Sequence, residues 1–330
     1  MHHGLDHVEP GTGGIRRRVA GRGFSYHSAN GRHIRSPWLL ERIRELAIPP
    51  AWTDVWISSA PEAHILATGV DAAGRTQYIY HPRWREEREN EKYLRSQAFA
   101  QRLPAIRRRV TRDLRQTLDP RRRALAAAVR LMDRAALRVG GAAYARENGS
   151  FGATTLLKRH VECSRASVHL KFAGKSDGTW HVSVDDALLA GYFASLPRTP
   201  RSGPAICHPV PDGRRKRWTG VNDTEVNEYL GEIAGQGFTA KDFRTWQGTA
   251  VAALSLSRSL RAGVTSPEAV TMAVHEAADW LHNTPEIARD SYVDPRVIDL
   301  FEQGKVADLR RQPDRAVLAL LLPPGAKQGR

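Results

Sequence analysis

The sequence predicts an α+β protein in two parts, a small mainly β N-terminal domain and a larger mostly helical one. Three observations carry that reading. Between residues 55 and 80, short runs of β-branched and aromatic residues are separated by turn chemistry, as strands require. Residues 82–95 are so densely charged that they form either a hinge or the exposed start of a helix. Beyond them, apolar residues recur at helical spacing, interrupted by one clear β-hairpin. The boundaries set by these changes are a disordered basic arm over 1–20, a β-rich domain over 21–87, a mainly helical domain over 88–322 and a frayed tail over 323–330. A length of 330 residues suits two domains of roughly 150 residues each.

Taken in order, the arm holds Gly11, Gly13, Gly14 and the run Arg16-Arg17-Arg18 with little apolar content. His2, His3 and His7 are read as part of that arm rather than as a metal site. Residues 37–46 have a helical pattern, stopped by Pro49-Pro50. Val55-Trp56-Ile57 and residues 64–70 read as strands, and the turn Asp71-Ala72-Ala73-Gly74-Arg75 returns the chain as Thr76-Gln77-Tyr78-Ile79-Tyr80. Strand alternation puts Tyr78 and Tyr80 on one face and Ile79 on the other. Either the two tyrosines form a polar-aromatic platform beside Gln77, or they help fill a small core.

Past the charged stretch, Leu125, Val129, Met132 and Ala136 make one apolar stripe. That helix is expected to end at Gly140-Gly141 with Arg138 in its last turn, where a cation suits the helix C-terminus. Val168, Leu170 and Phe172 alternate with polar residues, as do Trp180, Val182 and Val184, so the tip between them presents Lys175. Residues 197–220, with five prolines and Arg214-Arg215-Lys216-Arg217, read as an extended basic loop able to track a phosphate backbone. Helices follow over 224–233, to near Gly263, and from Ser266-Pro267-Glu268, which supplies an N-cap and a proline at the first helical position. The last carries Val270, Val274, Ala277 and Leu281 as a stripe and ends near His282. Pro285 forces a break, and a second short turn delivers Tyr292.

The chain has 50 Lys+Arg against 35 Asp+Glu, a net charge of +15, which puts polyanions first among partners. Arginine dominates, and its planar fork suits phosphate; an Arg-rich composition with solvated charge runs gives the same balance, so charge alone only favours nucleic acid. Cys163 and Cys207 form neither a CxxC pair nor a disulfide framework, as expected of a reducing cytoplasm. No apolar run approaches the ~18 residues of a membrane span, and the polar start lacks the apolar core of a signal peptide. A soluble, cytoplasmic protein is expected. Gly174-Lys175-Ser176 resembles the end of a Walker A loop, but His169 stands where the first glycine belongs, so no nucleotide is expected. His275-Glu276 with His282 lacks the HExxH spacing, and no carboxylate cluster suggests a two-metal nuclease, so no metal is expected either. A tyrosine delivered among surplus cations is then a candidate to attack a phosphodiester.

At this point the residues match a family. Thr76-Gln77-Tyr78-Ile79-Tyr80, Leu137-Arg138-Val139-Gly140, Tyr144-Ala145-Arg146-Glu147-Asn148-Gly149-Ser150-Phe151-Gly152, Leu156-Leu157-Lys158-Arg159-His160-Val161, Phe172-Ala173-Gly174-Lys175, Lys241-Asp242-Phe243-Arg244-Thr245-Trp246 and Asn283-Thr284-Pro285 through Tyr292 resemble, in order and spacing, the type IB DNA topoisomerases, in particular the small poxvirus-like enzymes of bacteria. The resemblance runs from about Gly21 to Val297. It implies a C-shaped clamp whose helical domain is of the tyrosine recombinase/topoisomerase IB type. It implies that Tyr292 is the nucleophile, leaving a 3′-phosphotyrosyl link and a free 5′-hydroxyl. Arg138 and Arg244 would grip the non-bridging oxygens, where charge builds in the transition state, and Lys175 would protonate the leaving 5′-oxygen. The viral members carry histidine nine residues before the tyrosine, where this chain has Asn283; His282 is one residue earlier. A one-residue step on a helix turns a side chain by about 100°, so Asn283 is expected to face the phosphate, with His282 as the alternative. Gln77, Tyr78 and Tyr80 match residues that contact duplex DNA in the major groove, and Tyr144 and Arg159 lie in DNA-contact stretches. The implied activity is relaxation of supercoiled duplex DNA by a nucleoid-associated monomer, without ATP, cofactor or metal. A tyrosine recombinase is the alternative enzyme, although recombinases usually show His-x-x-Arg where this chain has Lys241-Asp242-Phe243-Arg244. A non-catalytic duplex-binding protein of the same fold is the alternative from another class.

Overall fold

Strand alternation builds the N-terminal unit. β1 (Ile15–Ala20) and β2 (Gly23–Ser28) form a hairpin, α1 (Pro37–Glu45) follows, and β3 (Thr53–Ile57), β4 (Ile65–Val70) and β5 (Thr76–Tyr80) complete one antiparallel sheet in the order β2-β1-β3-β4-β5. The structure is a computed structural model and describes residues 4–116, 118–174, 178–197 and 200–322. Ile15, Ile43, Val55, Ile57 and Ala67 are the buried centre of this unit, and Ile79, Leu39 and Trp52 pack on its edge. Ile79 therefore faces inward, which decides the question left open for the tyrosines. Tyr78 is 44% exposed, and its ring stacks on that of Tyr80 at 5.7 Å, forming the platform.

The expectation of a disordered arm over 1–20 is corrected here. Residues 15–20 are a strand of the sheet, paired to both β2 and β3. The apolar anchor is a single residue, Ile15, only 2% exposed. Arg17, which reads as solvated charge, instead donates to the backbone carbonyls of Pro49 (3.1 Å) and Trp52 (2.6 Å) and lies 4.1 Å over the Phe24 ring. Gly14, at φ +71°, fits against the Trp56 indole where a Cβ would clash at 2.4 Å.

The charged stretch 82–95 is the beginning of a long helix, α2 (Pro82–Arg115), with an i,i+3 Arg88–Glu91 pair at 3.0 Å on its surface. The chain divides into two compact units within this helix, residues 1–92 and 93–330.

The second unit is mainly helical. α3 (Pro120–Ala135) and α4 (Ala142–Asn148) lead into a three-stranded antiparallel sheet of β6 (Val161–Cys163), β7 (Ser167–Ala173) and β8 (Thr179–Asp185), in that order. Then come α5 (Ala187–Ala194), a two-stranded ribbon of β9 (Cys207–Asp212) and β10 (Arg215–Gly220), α6 (Asp223–Ala234), α7 (Ala240–Arg261), α8 (Pro267–Leu281), α9 (Pro285–Ser291), α10 (Arg296–Glu302) and α11 (Pro313–Leu321). The stripe Leu125, Val129, Met132 and Ala136 is buried, and so are Phe243, Trp246 and Leu256 on α7. Arg107 on α2 bonds Asp133 on α3 and Asp314 on α11, and Trp246 of α7 donates to the same Asp314 at 2.7 Å.

Two further expectations are corrected. The helix expected to run to Gly140-Gly141 stops at Ala135, because Ala136 turns left-handed at φ 51°. Arg138 thus stands on a loop beyond the helix, not in its last turn. The stretch 197–220 is an extended loop only in part, since 207–220 pairs into the ribbon around Gly213, at φ +59°. Lys175 and the tail 323–330 lie outside the described residues.

Arg130 on α3 meets Asp186 at 2.6 Å, and both are buried. Asp186 also caps α5, accepting from the backbone N–H groups of Leu188 and Leu189. Asp186→Ala removes the cap and strands a buried guanidinium. It is expected to cost about 3–5 kcal/mol in urea unfolding, because an uncompensated buried charge dominates; Asp186→Asn, which keeps the cap oxygen, is expected to cost less.

Candidate active site

Arg244 comes from the first turns of α7. That helix starts at a capping box in which the Thr239 N–H donates to Asp242 at 2.7 Å, and Arg95 of α2 clamps the same carboxylate at 2.6 and 2.9 Å. The Arg244 side chain is 3% exposed. Its Nη1 donates to the carbonyl of Ala136, just past α3, and its Nη2 to the carbonyl of Leu281, at the end of α8, at 2.8 Å. Carbonyls at helix ends lack intrahelical partners and sit at the negative end of the helix dipole. One guanidinium therefore satisfies two helix ends. Burial lowers its pKa to about 10, the like charge of Arg138 adds to the lowering, and Tyr292 opposes it. Arg244 remains cationic at neutral pH.

Arg138 is fixed by the loop after α3. Gly140 adopts φ +88°, and a Cβ on the facing Gly152 would come within 2.6 Å of the Arg138 carbonyl. The loop is stitched down by Ala153 N–H to Arg138 O (2.9 Å), Thr154 N–H to Val139 O (2.8 Å) and Thr154 Oγ1 to Gly140 O (2.7 Å). From this mount the Arg138 Nη2 donates to Asn283 Oδ1 at 2.6 Å. Burial lowers the pKa of Arg138, opposed by the nearby Tyr292 and Tyr144.

α8 ends in a Schellman motif. His282 takes the left-handed conformation at φ 46°, its N–H bonds Asp279 O (3.1 Å), and the N–H of Asn283 bonds Ala278 O (2.9 Å). Left-handed backbone is disfavoured for a residue with a Cβ. The His282 ring gains a compensating contact, stacking on Trp180 of β8 at 3.9 Å. The two neighbours are therefore separated by the cap, not by the 100° step of a continuing helix. Asn283 points its amide oxygen at Arg138, and His282 lies on Trp180. Among the described residues, Arg244 Nε and Asn283 Nδ2 are buried donors without a hydrogen-bond partner.

Thr284 then caps α9, accepting from Ile287 N–H at 3.3 Å, with Pro285 at the first helical position. Tyr292 follows α9 directly. Its N–H bonds Ala288 O (3.0 Å), and its carbonyl accepts from Thr249 Oγ1 (2.9 Å), the hydroxyl that also receives Asp294 N–H (3.0 Å). The Tyr292 backbone rests directly on α7 at Gly248, where a Cβ would meet Tyr292 Cβ at 2.8 Å. The Arg244 guanidinium lies 5.1 Å over the Tyr292 ring. Burial alone would raise the phenol pKa, but the positive charges of Arg244, Arg138 and Lys241 outweigh it and hold it below the ordinary value.

The structure thus gathers Arg138, Arg244, Asn283 and Tyr292. Lys175 is outside the described residues; the strands β7 and β8 meet the cluster through Trp180, whose ring is 6.0 Å from the Arg138 guanidinium. Tyr144 on α4 is exposed and close enough to act on Arg138; Arg159 is exposed on a 3-10 turn. Gln77, Tyr78 and Tyr80 belong to the N-terminal unit, where Gln77 Nε2 donates to Asp71 at 2.8 Å. Sequence reasoning missed Gly248, Lys241 and Trp180 as parts of this arrangement. Gly248 had a signal: a glycine inside a helix costs about 1 kcal/mol relative to alanine and asks for a packing reason.

Two outcomes follow. Gly248→Ala is expected to push Tyr292 off α7 at about 1–3 kcal/mol in stability, seen as a shifted Tyr292 ring resonance in ¹³C-tyrosine NMR. Arg138→Gln removes a charge that favours the phenolate, so the Tyr292 titration in the same spectra is expected to move to higher pH; an unmoved titration contradicts the coupling.

Comparison with known proteins gives the family. The family model described as "Eukaryotic DNA topoisomerase I, catalytic core" matches residues 81–291, more than half of the chain, and that of "Bacterial DNA topoisomerase IB, N-terminal domain" matches residues 23–71. The DNA topoisomerase 1B of Acanthamoeba polyphaga mimivirus is 28% identical over 316 residues, 93% of each chain. The DNA topoisomerase 1B of Vaccinia virus (strain Copenhagen) is 21% identical over 279 residues, 82% of this chain and 84% of the viral one. By these matches the chain belongs to the type IB DNA topoisomerase family and is an isomerase whose substrate is duplex DNA.

Proposed function

We propose that the chain relaxes supercoiled duplex DNA by transient single-strand cleavage through a 3′-phosphotyrosyl intermediate, strand rotation and religation. Tyr292, having lost its phenolic proton to solvent, attacks as the phenolate that the neighbouring cations favour; its Oη forms the bond to phosphorus as the bond from phosphorus to the 5′-oxygen breaks, and the leaving oxygen takes a proton. Lys175 is assigned as the donor of that proton. Arg138 and Arg244 neutralise the non-bridging oxygens, and the Asn283 amide adds a neutral hydrogen bond. Religation reverses the same steps with the 5′-hydroxyl as nucleophile. One phosphodiester is exchanged for another of similar energy, so the chemistry asks for neither ATP nor metal. Gln77, Tyr78 and Tyr80 are assigned to the major groove, Tyr144 and Arg159 to the DNA around the cleaved bond, and the active form is a monomer.

The observation that carries the reading is the pair of unpartnered buried donors, Arg244 Nε and Asn283 Nδ2, in a cluster that already holds two guanidiniums and a phenol. Leaving such donors unsatisfied costs roughly 1–3 kcal/mol each. A phosphate oxygen supplies what they lack, and donors set in advance against developing charge stabilise a transition state. A phenol held below its usual pKa beside those cations is a stronger candidate nucleophile than a free tyrosine.

The test is relaxation of a supercoiled plasmid in EDTA without ATP. The parent protein is expected to relax it and, when denatured mid-reaction, to remain covalently attached to a 3′ DNA end. Tyr292→Phe is expected to bind duplex but give neither product. Full relaxation by Tyr292→Phe removes that residue from the mechanism, and a requirement for paired specific sites would point to a recombinase.

A further inference from the structure

The arginine runs of the second unit have different fates in the fold. In the run 107–109, Arg107 and Arg109 are tied to Asp133, Asp314 and Asp113. In the run 121–123, Arg121 bonds Glu225, Arg122 bonds Asp113 and Glu232, and Arg123 reaches the Leu114 carbonyl and Ser195. Among the described residues, the run Arg214-Arg215-Lys216-Arg217 makes no ion pair, and all four residues are exposed. Asp212 stands opposite Arg215 in the ladder without bonding it.

These four cations sit at the end of the β9–β10 ribbon, whose strands, among the described residues, pair only with each other. Its root is well fixed. The buried Tyr192 hydroxyl donates to the Cys207 carbonyl (2.9 Å) and accepts the Cys207 N–H (3.0 Å), and Gly220 packs against Pro204. The outer part, residues 211–217, is exposed throughout. A two-stranded ribbon has no buried layer of its own and is marginal alone, and four adjacent like charges repel. This concentration of charge on an exposed projection is unfavourable for folding and suits a polyanionic partner.

Strand alternation puts Arg215 and Arg217 on one face and Lys216 on the other, with Arg214 at the turn. Both faces are therefore cationic. A DNA groove has phosphates on both walls, and the major groove admits a two-stranded ribbon. Pro209 and Pro211 remove two N–H donors from β9, which disfavours a partner that adds a further strand. We propose that the β9–β10 ribbon is a duplex DNA contact separate from the Tyr292 cluster, which holds the phosphate backbone through Arg214, Arg215, Lys216 and Arg217. The proposal rests on the chain acting on duplex DNA, but not on the chemistry assigned to Tyr292.

The experiment measures duplex affinity by fluorescence anisotropy across a KCl series, and single-turnover cleavage at saturating protein. The proteins are the full chain, R214Q/R215Q/K216Q/R217Q, and a control, R102Q/R108Q/R112Q/R115Q, which neutralises four exposed unpaired cations on α2. Each lost phosphate contact lowers the slope of log affinity against log salt by about 0.9. The ribbon variant is expected to lose about 2–4 units of slope, with cleavage of bound duplex within twofold of the parent; the control is expected to lose less than one unit. An unchanged slope in the ribbon variant overturns the proposal, and so does an equal loss in the control, which would mean that only net charge matters. A parent that never cleaves, with the slope loss still confined to the ribbon variant, supports the ribbon contact while counting against the Tyr292 mechanism.

Discussion

The second unit is organised by one buried guanidinium. Arg244 donates to the carbonyl of Ala136 beyond α3 and to that of Leu281 ending α8, while lying over the Tyr292 ring. Three segments that are remote in sequence are held to a common point by hydrogen bonds that a buried charge requires. The same contacts determine what else stands nearby. Where α3 stops decides the position of Arg138, and where α8 stops decides that of Asn283. Two helix ends lend partial negative charge to Arg244, so its charge survives burial with a pKa of about 10.

The rest of the site follows from close backbone approaches. Gly140 against Gly152 sets the Arg138 loop, and Gly248 lets the Tyr292 backbone lie on α7. Thr249, one residue further along α7, ties down both Tyr292 and Asp294. The Trp180–His282 stack joins the β7–β8 hairpin to the turn that carries Asn283. Each device is local, and each acts on a side chain that by itself is only a surface arginine, amide or tyrosine.

Much of this was legible in the sequence, for physical reasons. The α3 stripe is buried as expected, as are Val274, Ala277 and Leu281 of the α8 stripe, with Val270 partly buried at its start, and Pro285 marks the break before Tyr292. Other features were not legible because their cause is tertiary. Arg16-Arg17-Arg18 reads as solvated charge, yet Arg17 is bound to backbone carbonyls more than thirty residues away. Gly140-Gly141 is a strong stop signal, but the helix ends earlier, where a left-handed Ala136 offers its carbonyl to Arg244. His282 and Asn283 were distinguished by a helical step; the Schellman cap separates them instead. The prolines of 197–220 argue for a loop, but Gly213 and the alternating partners close a ribbon.

The electrostatics divide along the same line. Arginines that face carboxylates tie the fold together, whereas Arg138 and Arg244 beside Tyr292 bond an amide oxygen and backbone carbonyls and keep their charge facing the phenol. The central claim concerns Arg244, whose fork both spans two helix ends and faces the phenol. Single-turnover cleavage of a suicide duplex by Arg244→Lys tests it most directly, because lysine keeps the charge but cannot make the fork. The account predicts a cleavage rate at least about 100-fold below the parent in a protein that still binds duplex and unfolds cooperatively. A rate within a few-fold of the parent would contradict it.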